Sequence, residues 1–188
     1  PDPAVYGSAL QALASELHIP VTFAVGLPIE RTRTGRAVRA YLEWIEEGFH
    51  ADPVRRLLEA GDLRPRDPEH RHHSGAALAR RFRTLRIGWG RQRYRTQIKD
   101  ALAGLESLTP GKYDGAEGFA RRRDRARSEL EALRSILFPT LRATPSVPDH
   151  MGLAGARVSP SELARGLRAF LRRVPRGAGV DRSAREEV

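Results

Sequence analysis

The sequence predicts a mainly α-helical protein: a multi-helix subdomain with one or a few short strands. Three observations predict it. Apolar residues recur at three- and four-residue spacing along most of the chain, and helix-start signals precede several of those runs. A single stretch, Val21-Thr22-Phe23-Ala24-Val25, has the β-branched and aromatic composition of a strand.

Asp2-Pro3 has the form of an N-cap followed by proline at the first helical position. Val5, Ala9, Leu10, Leu13 and Leu17 continue at helical spacing until Ile19-Pro20 ends the run. The strand follows, bounded by Pro20 and Gly26. One strand cannot satisfy its own backbone, so its sheet is expected to lie largely outside this chain. An opening on Pro-Asp-Pro without Met also points to a piece of a longer protein.

Gly26-Leu27-Pro28 is a turn, and a helix is expected over residues 34–48. Ala37, Val38, Tyr41, Leu42 and Ile45 share its inner face, with Glu43, Glu46 and Glu47 outside. Asp52-Pro53 caps a short helix with Leu57 and Leu58, stopped by Gly61. Residues 62–74 are a polar loop. A helix runs over 76–86, and Ile87-Gly88-Trp89-Gly90 interrupts it. The next carries Tyr94, Ile98, Leu102 and Leu105, before the turn at 109–115. A long charged helix spans 116–137 with a thin apolar face (Phe119, Ala126, Leu130, Leu133, Leu137), and Phe138-Pro139 ends it. Residues 139–158 are irregular. Ser159, Pro160 and Glu162 then form a capping box ahead of Leu163, Leu167, Phe170, Leu171 and Val174. The expected organisation is a helix-plus-strand edge (1–30), a helical subdomain (31–138), a linker (139–158) and a final helical segment (159–188).

The chain has 188 residues and a net charge of +10. Apart from Lys99 and Lys112 the basic residues are arginines, which stay charged and pair bidentately with phosphate or carboxylate. Residues 51–100 hold 13 basic and 6 acidic side chains, so most of the excess lies there, which points to a polyanionic or acidic partner. There is no Cys, which excludes disulfides and thiolate metal sites and fits a cytoplasmic protein. No run approaches the roughly 18 apolar residues of a membrane span, so no membrane partner is expected.

The chain lacks the sequence marks of several enzymes. A phosphate-cradling loop needs Gly, four residues, then Gly-Lys-Ser/Thr, but Gly111-Lys112 has Glu106 where the first Gly belongs and Tyr113 after the Lys. A PD-(D/E)xK nuclease needs an acid two residues before a Lys, where Lys99 has Gln97 and Lys112 has Pro110. Gly88-Trp89-Gly90 lacks the later Gly of a dinucleotide fingerprint. His70, His72 and His73 cluster in a polar loop with no second ligand pair, so a solvated loop is favoured over a metal site. Glu46-Glu47 are neighbours on a helix and do not face each other as an acid/base pair. No catalytic residue, cofactor site or metal site is therefore expected within the chain.

The strongest functional signal is ARRFRTLRIGWGRQRYRTQIK. Its arginines alternate with Phe82, Trp89 and Tyr94, and such arginines neutralise phosphates while aromatics stack on bases. The expected nucleic-acid-binding residues are Arg80, Arg83, Arg86, Trp89, Arg91 and Arg93. Each aromatic taken alone is favoured as core. Arg121-Arg122-Arg123 is diluted by Asp124, Glu129 and Glu131 and reads as a solvated helix face.

The stretch YGSALQALASELHIPVTFAVGLPIERTRTGRAVRAYLEWIEEGF resembles a junction in UvrD-like superfamily 1 helicases. There the second RecA-like domain gives way to its inserted helical (2B-like) subdomain. The resemblance is closer to AddB/RexB-type and related RecB-family proteins, with RIGWGRQRY and SPSELARGLRAFLRRVP similar to later parts of them. The chain departs from active helicases after Gly26, where LPIERTRTGRA replaces an aromatic-rich segment. The resemblance implies a role in DNA repair or end processing, with ATP, magnesium and catalysis confined to the rest of a parent helicase–nuclease. It implies DNA as partner, with docking on a partner subunit or on the parent's motor domains as the alternative.

Overall fold

Side chains at the helix starts set much of the secondary structure. The computed structural model describes residues 3–17, 19, 21, 29–65, 67–69, 71–111, 115–149 and 156–174. Among them are seven α-helices, one 3-10 turn (Ile29–Arg31) and no strand. The helices are α1 (Pro3–Glu16), α2 (Arg33–Glu46), α3 (Ala51–Glu59), α4 (Gly75–Thr84), α5 (Arg91–Ser107), α6 (Ala116–Ala143) and α7 (Pro160–Leu171). The expected strand lies outside the described residues beyond Val21.

Thr32 Oγ1 accepts from Gly35 N at 2.9 Å, Ser74 Oγ from Ala77 N at 3.2 Å and Ser159 Oγ from Glu162 N at 3.2 Å. Each bond satisfies an amide that the first helical turn leaves without a partner, and losing such a cap costs about 1 kcal/mol. Ser159 is thus the cap that the sequence predicts. Asp52 is not: α3 begins at Ala51, two residues before the expected start at Pro53, His50 Nδ1 takes the cap, and Asp52 pairs within the first turn with Arg55 at 2.7 Å.

Proline does not end α6, which runs through Pro139 to Ala143. A proline inside a helix costs about 3 kcal/mol or more, so something beyond it must hold the chain helical. Thr140 and Leu141 supply that. Both are buried, Thr140 Oγ1 donates back to Ile136 O at 2.7 Å, and Thr144 N donates to Thr140 O at 2.9 Å.

One apolar core joins α2 through α7. α2 packs on α3 and α7, α3 on α4, and α4, α5 and α7 on α6. Its largest fully buried members include Trp44, Tyr41, Tyr94, Phe49, Ile45, Leu58, Leu78, Ile98, Leu130 and Leu133. Phe170, Leu171 and Val174 belong to the same cluster, so α7 is part of this core. Its approach depends on Gly166, where a Cβ would stand 2.2 Å from the Tyr41 hydroxyl. Tyr41 and Phe170 stack with ring centroids 5.2 Å apart.

The loop after α3 is not simply polar. Asp62, Leu63 and Asp67 are buried, and Arg36 grips Asp62 through two 2.8 Å bonds while Arg33 adds a third at 3.3 Å. A buried carboxylate persists only when paired in this way. α1 differs from the other helices. Its apolar face exists as the sequence predicts, but Tyr6, Leu10, Leu13 and Leu17 are 52–60% exposed. No helix among the described residues is long and apolar enough to cross a membrane.

Candidate nucleic-acid interface

The arginine-rich segment folds as a helix, a corner and a second helix. α4 ends at Thr84 and α5 starts at Arg91, leaving residues 85–90 to turn the chain. Three of those six residues have positive φ: Arg86 (49°), Gly88 (67°) and Gly90 (95°). Glycine adopts this region freely, whereas arginine there is uncommon and strained.

The corner is held from outside. Ala51 N donates to Gly88 O at 2.8 Å, and Gly90 N donates to Gly48 O at 3.1 Å. Asp149 Oδ1 accepts from Arg91 N at 2.9 Å, serving the first amide of α5 where Gly90 has no side chain to do so. A Cβ on Gly90 would crowd Asp149 Oδ2 at 3.0 Å, which adds to the preference for glycine that its positive φ already sets.

The corner sorts the three aromatics of the segment. Phe82 and Tyr94 lie in the core, at 3% and 0% exposure. Trp89 does not: it is 55% exposed, between the two positive-φ glycines and off the periodicity of either helix. Taken alone it reads as core, and the conformation of the turn puts it outside.

The six expected binding residues divide by what their side chains already touch. Arg80, Arg86 and Arg93 are exposed, and none has a carboxylate within 4.0 Å among the described residues. Arg93 stands by the corner, its Nη1 being 3.7 Å from where a Gly88 Cβ would sit. Arg83 is exposed but reaches Glu59 at 3.0 Å, an ion pair worth little in water. Arg91 is committed to the fold. It is half-buried, donates to the carbonyls of Leu141 and Pro145, and lies 5.8 Å from the Phe49 ring centroid. Burial lowers its pKa, and the charge of Arg95 adds to this, against Asp149 and Tyr41. The Arg91 donors are thus engaged by carbonyls fifty or more positions along the chain.

A second cluster joins the loop after α3 to α6. Asp67 accepts from Ser128 Oγ at 2.5 Å, Arg71 Nε at 2.6 Å and Arg71 N at 2.8 Å, while His73 Nε2 lies 2.8 Å from Ser128 Oγ. Burial alone would raise the Asp67 pKa, but the bonds from Ser128 and Arg71 hold it well below the usual carboxylate range. The cluster resembles a nucleophile triad in composition only. Ser128 directs its proton to Asp67 and so must accept from His73, which leaves His73 no proton to take from it. This is a clamp between the loop and α6. It also corrects the expectation of a wholly solvated histidine loop: the His73 side chain is 11% exposed, while His72 is exposed and His70 lies outside the described residues. Among the described residues, no group of three or more His, Asp or Glu side chains is placed to hold a metal ion.

Arg121 and Arg122 are exposed on α6 and Arg123 lies over the Phe119 ring at 5.9 Å, in keeping with a solvated helix face. Comparison with protein-family models, curated proteins and solved structures found no match.

Proposed function

We propose that this chain is a non-catalytic helical domain that grips nucleic acid, in a parent protein of the DNA repair helicase–nuclease type. Trp89 carries the reading. An indole more than half exposed, on a corner tied to the α2–α3 junction and to Asp149, is a platform for an unpaired base. Arg86 and Arg93 beside it, with Arg80 and Arg83 on α4, neutralise the phosphates that approach with that base. The excess charge of residues 51–100 supports the same reading.

The chain's other tryptophan, Trp44, is 1% exposed, so base stacking is read from the emission of Trp89. Titration with a single-stranded oligonucleotide is expected to quench that emission, and Trp89→Phe is expected to abolish the change. Binding with no change in Trp89 emission would remove the stacking role.

A second reading is docking on a partner subunit or on the motor domains of a parent. The exposed Tyr6, Leu10, Leu13 and Leu17 of α1 favour it. It expects no measurable DNA binding and a concentration-dependent association with an acidic surface.

A further inference from the structure

We infer that the groove between the loop after α3, the C-terminal half of α6 and the turn after α7 binds a phosphate monoester carried on a planar, apolar body. That is the chemistry of a nucleoside monophosphate, free or at the end of a strand. The groove has a volume of about 600 Å³. Small-molecule sites span about 300–1,000 Å³. It shares no residue with the Trp89 corner and does not rest on the function proposed there.

The chemistry of the lining points to this ligand. Arg64, Arg142 and Arg173 come from three segments distant in sequence, and all are exposed on the rim. Among the described residues none of the three has a carboxylate within 4.0 Å, and Arg64 Nε donates only to the neutral Gly61 carbonyl, at 3.2 Å. The acids in the groove are already engaged: Glu131 with Arg134 at 3.0 Å, and Asp67 with Arg71 and Ser128. Three guanidiniums without a carboxylate partner among the described residues line one concavity, and guanidinium matches phosphate geometry with two parallel N–H bonds. The apolar part of the lining includes Phe138, Pro139 and Pro65. Such a surface receives the face of a base or similar ring. The proline within α6 thus has a place in the site as part of its apolar lining.

The test is calorimetric titration of the full chain with adenosine 5′-monophosphate, adenosine and inorganic phosphate. The monophosphate is expected to bind about tenfold or more tightly than either part alone, as the loss of charged hydrogen bonds or of ring burial implies. Arg142→Gln/Arg173→Gln is expected to weaken it by about tenfold or more, while single-strand binding at Trp89 and the circular dichroism spectrum stay unchanged. A 5′-phosphorylated and a 5′-hydroxyl oligonucleotide separate the sources: whichever of the free nucleotide and the phosphorylated end binds more tightly is the ligand form. Equal affinity for monophosphate and adenosine, equal affinity for monophosphate and phosphate, or unchanged affinity in the double variant would each overturn the assignment. Equal competition by an acidic peptide would do so too, since the site would then read charge alone.

Discussion

Trp44 and Tyr94 meet edge to face in the core, with centroids 5.5 Å apart and planes at 77°, and the indole Nε1 donates to the tyrosine oxygen at 2.7 Å. The tyrosine hydroxyl in turn faces the carbonyls of Phe49 and His50 at 3.1 and 3.2 Å. One phenol oxygen thus joins α2, α5 and the α2–α3 junction, the segment to which the Trp89 corner is tied. Burial raises the Tyr94 pKa, so the hydroxyl stays protonated and can donate. Tyr94→Phe leaves the indole N–H without its acceptor and is expected to cost about 1–3 kcal/mol. Urea unfolding monitored by circular dichroism measures this. A cost below about 0.5 kcal/mol, the range of neutral surface changes, would contradict the assigned role.

Gly166 has a steric reason to lack a side chain. A Cβ there would stand 2.2 Å from the Tyr41 hydroxyl and 3.1 Å from the Ala143 carbonyl. Gly166→Ala is expected to destabilise by about 1–3 kcal/mol through overpacking. Adding Tyr41→Phe removes the nearest obstacle, so the double variant should lose less than the sum of the two single ones. Strict additivity in thermal unfolding would show that α7 does not seat on Tyr41.

The Asp67 clamp predicts a pH dependence. Its pKa in the folded protein is depressed below the value of about 3.9 for an unfolded chain. Its contribution to stability is therefore complete above that value and is lost as the pH falls through it toward the folded pKa. Between about pH 5 and pH 2, the wild-type protein should lose stability more steeply than Asp67→Asn, which has no proton to gain there. Parallel stability curves for the two would refute the clamp.

Arg91 and Arg93 separate structure from binding. Arg91 holds the end of α6 through the Leu141 and Pro145 carbonyls, whereas Arg93 is exposed and unpaired among the described residues. Arg91→Ala is expected to lower stability by about 1–3 kcal/mol and to leave the salt dependence of nucleic-acid binding unchanged. Arg93→Ala should do the reverse. A binding loss for Arg91→Ala at full stability would put Arg91 back among the contacts.

Local signals made the helical architecture legible. Ser159 is read as a cap because its bond to Glu162 spans only three residues, and the 3.6-residue periodicity of α2 and α5 marks Tyr41, Ile45, Tyr94 and Ile98 as core. The arginine-rich segment was legible as a candidate site for the same reason, since its residues are contiguous. The rest depends on partners distant in the chain. His73 meets Ser128 across 55 positions, and Arg91 reaches Leu141 across 50. No window of sequence contains both ends of either contact. Pro139 misled because a local rule yielded to the burial of Thr140 and Leu141 beyond it. The groove of Arg64, Arg142 and Arg173 had no sequence signal, since each arginine comes from a different segment. Trp89 is named by the sequence as a candidate contact, but its exposure follows from the positive-φ glycines that flank it rather than from any periodicity.

The most direct test of the proposed function is the salt dependence of single-strand binding, compared between the wild-type chain and Arg86→Ala/Arg93→Ala. Four phosphate contacts, from Arg80, Arg83, Arg86 and Arg93, predict a log–log slope of about −3 for the wild-type chain. Removing two of them should reduce it to about −1.5, with affinity falling at every salt concentration. An unchanged slope and affinity in the double variant, with the fold intact, would contradict the account.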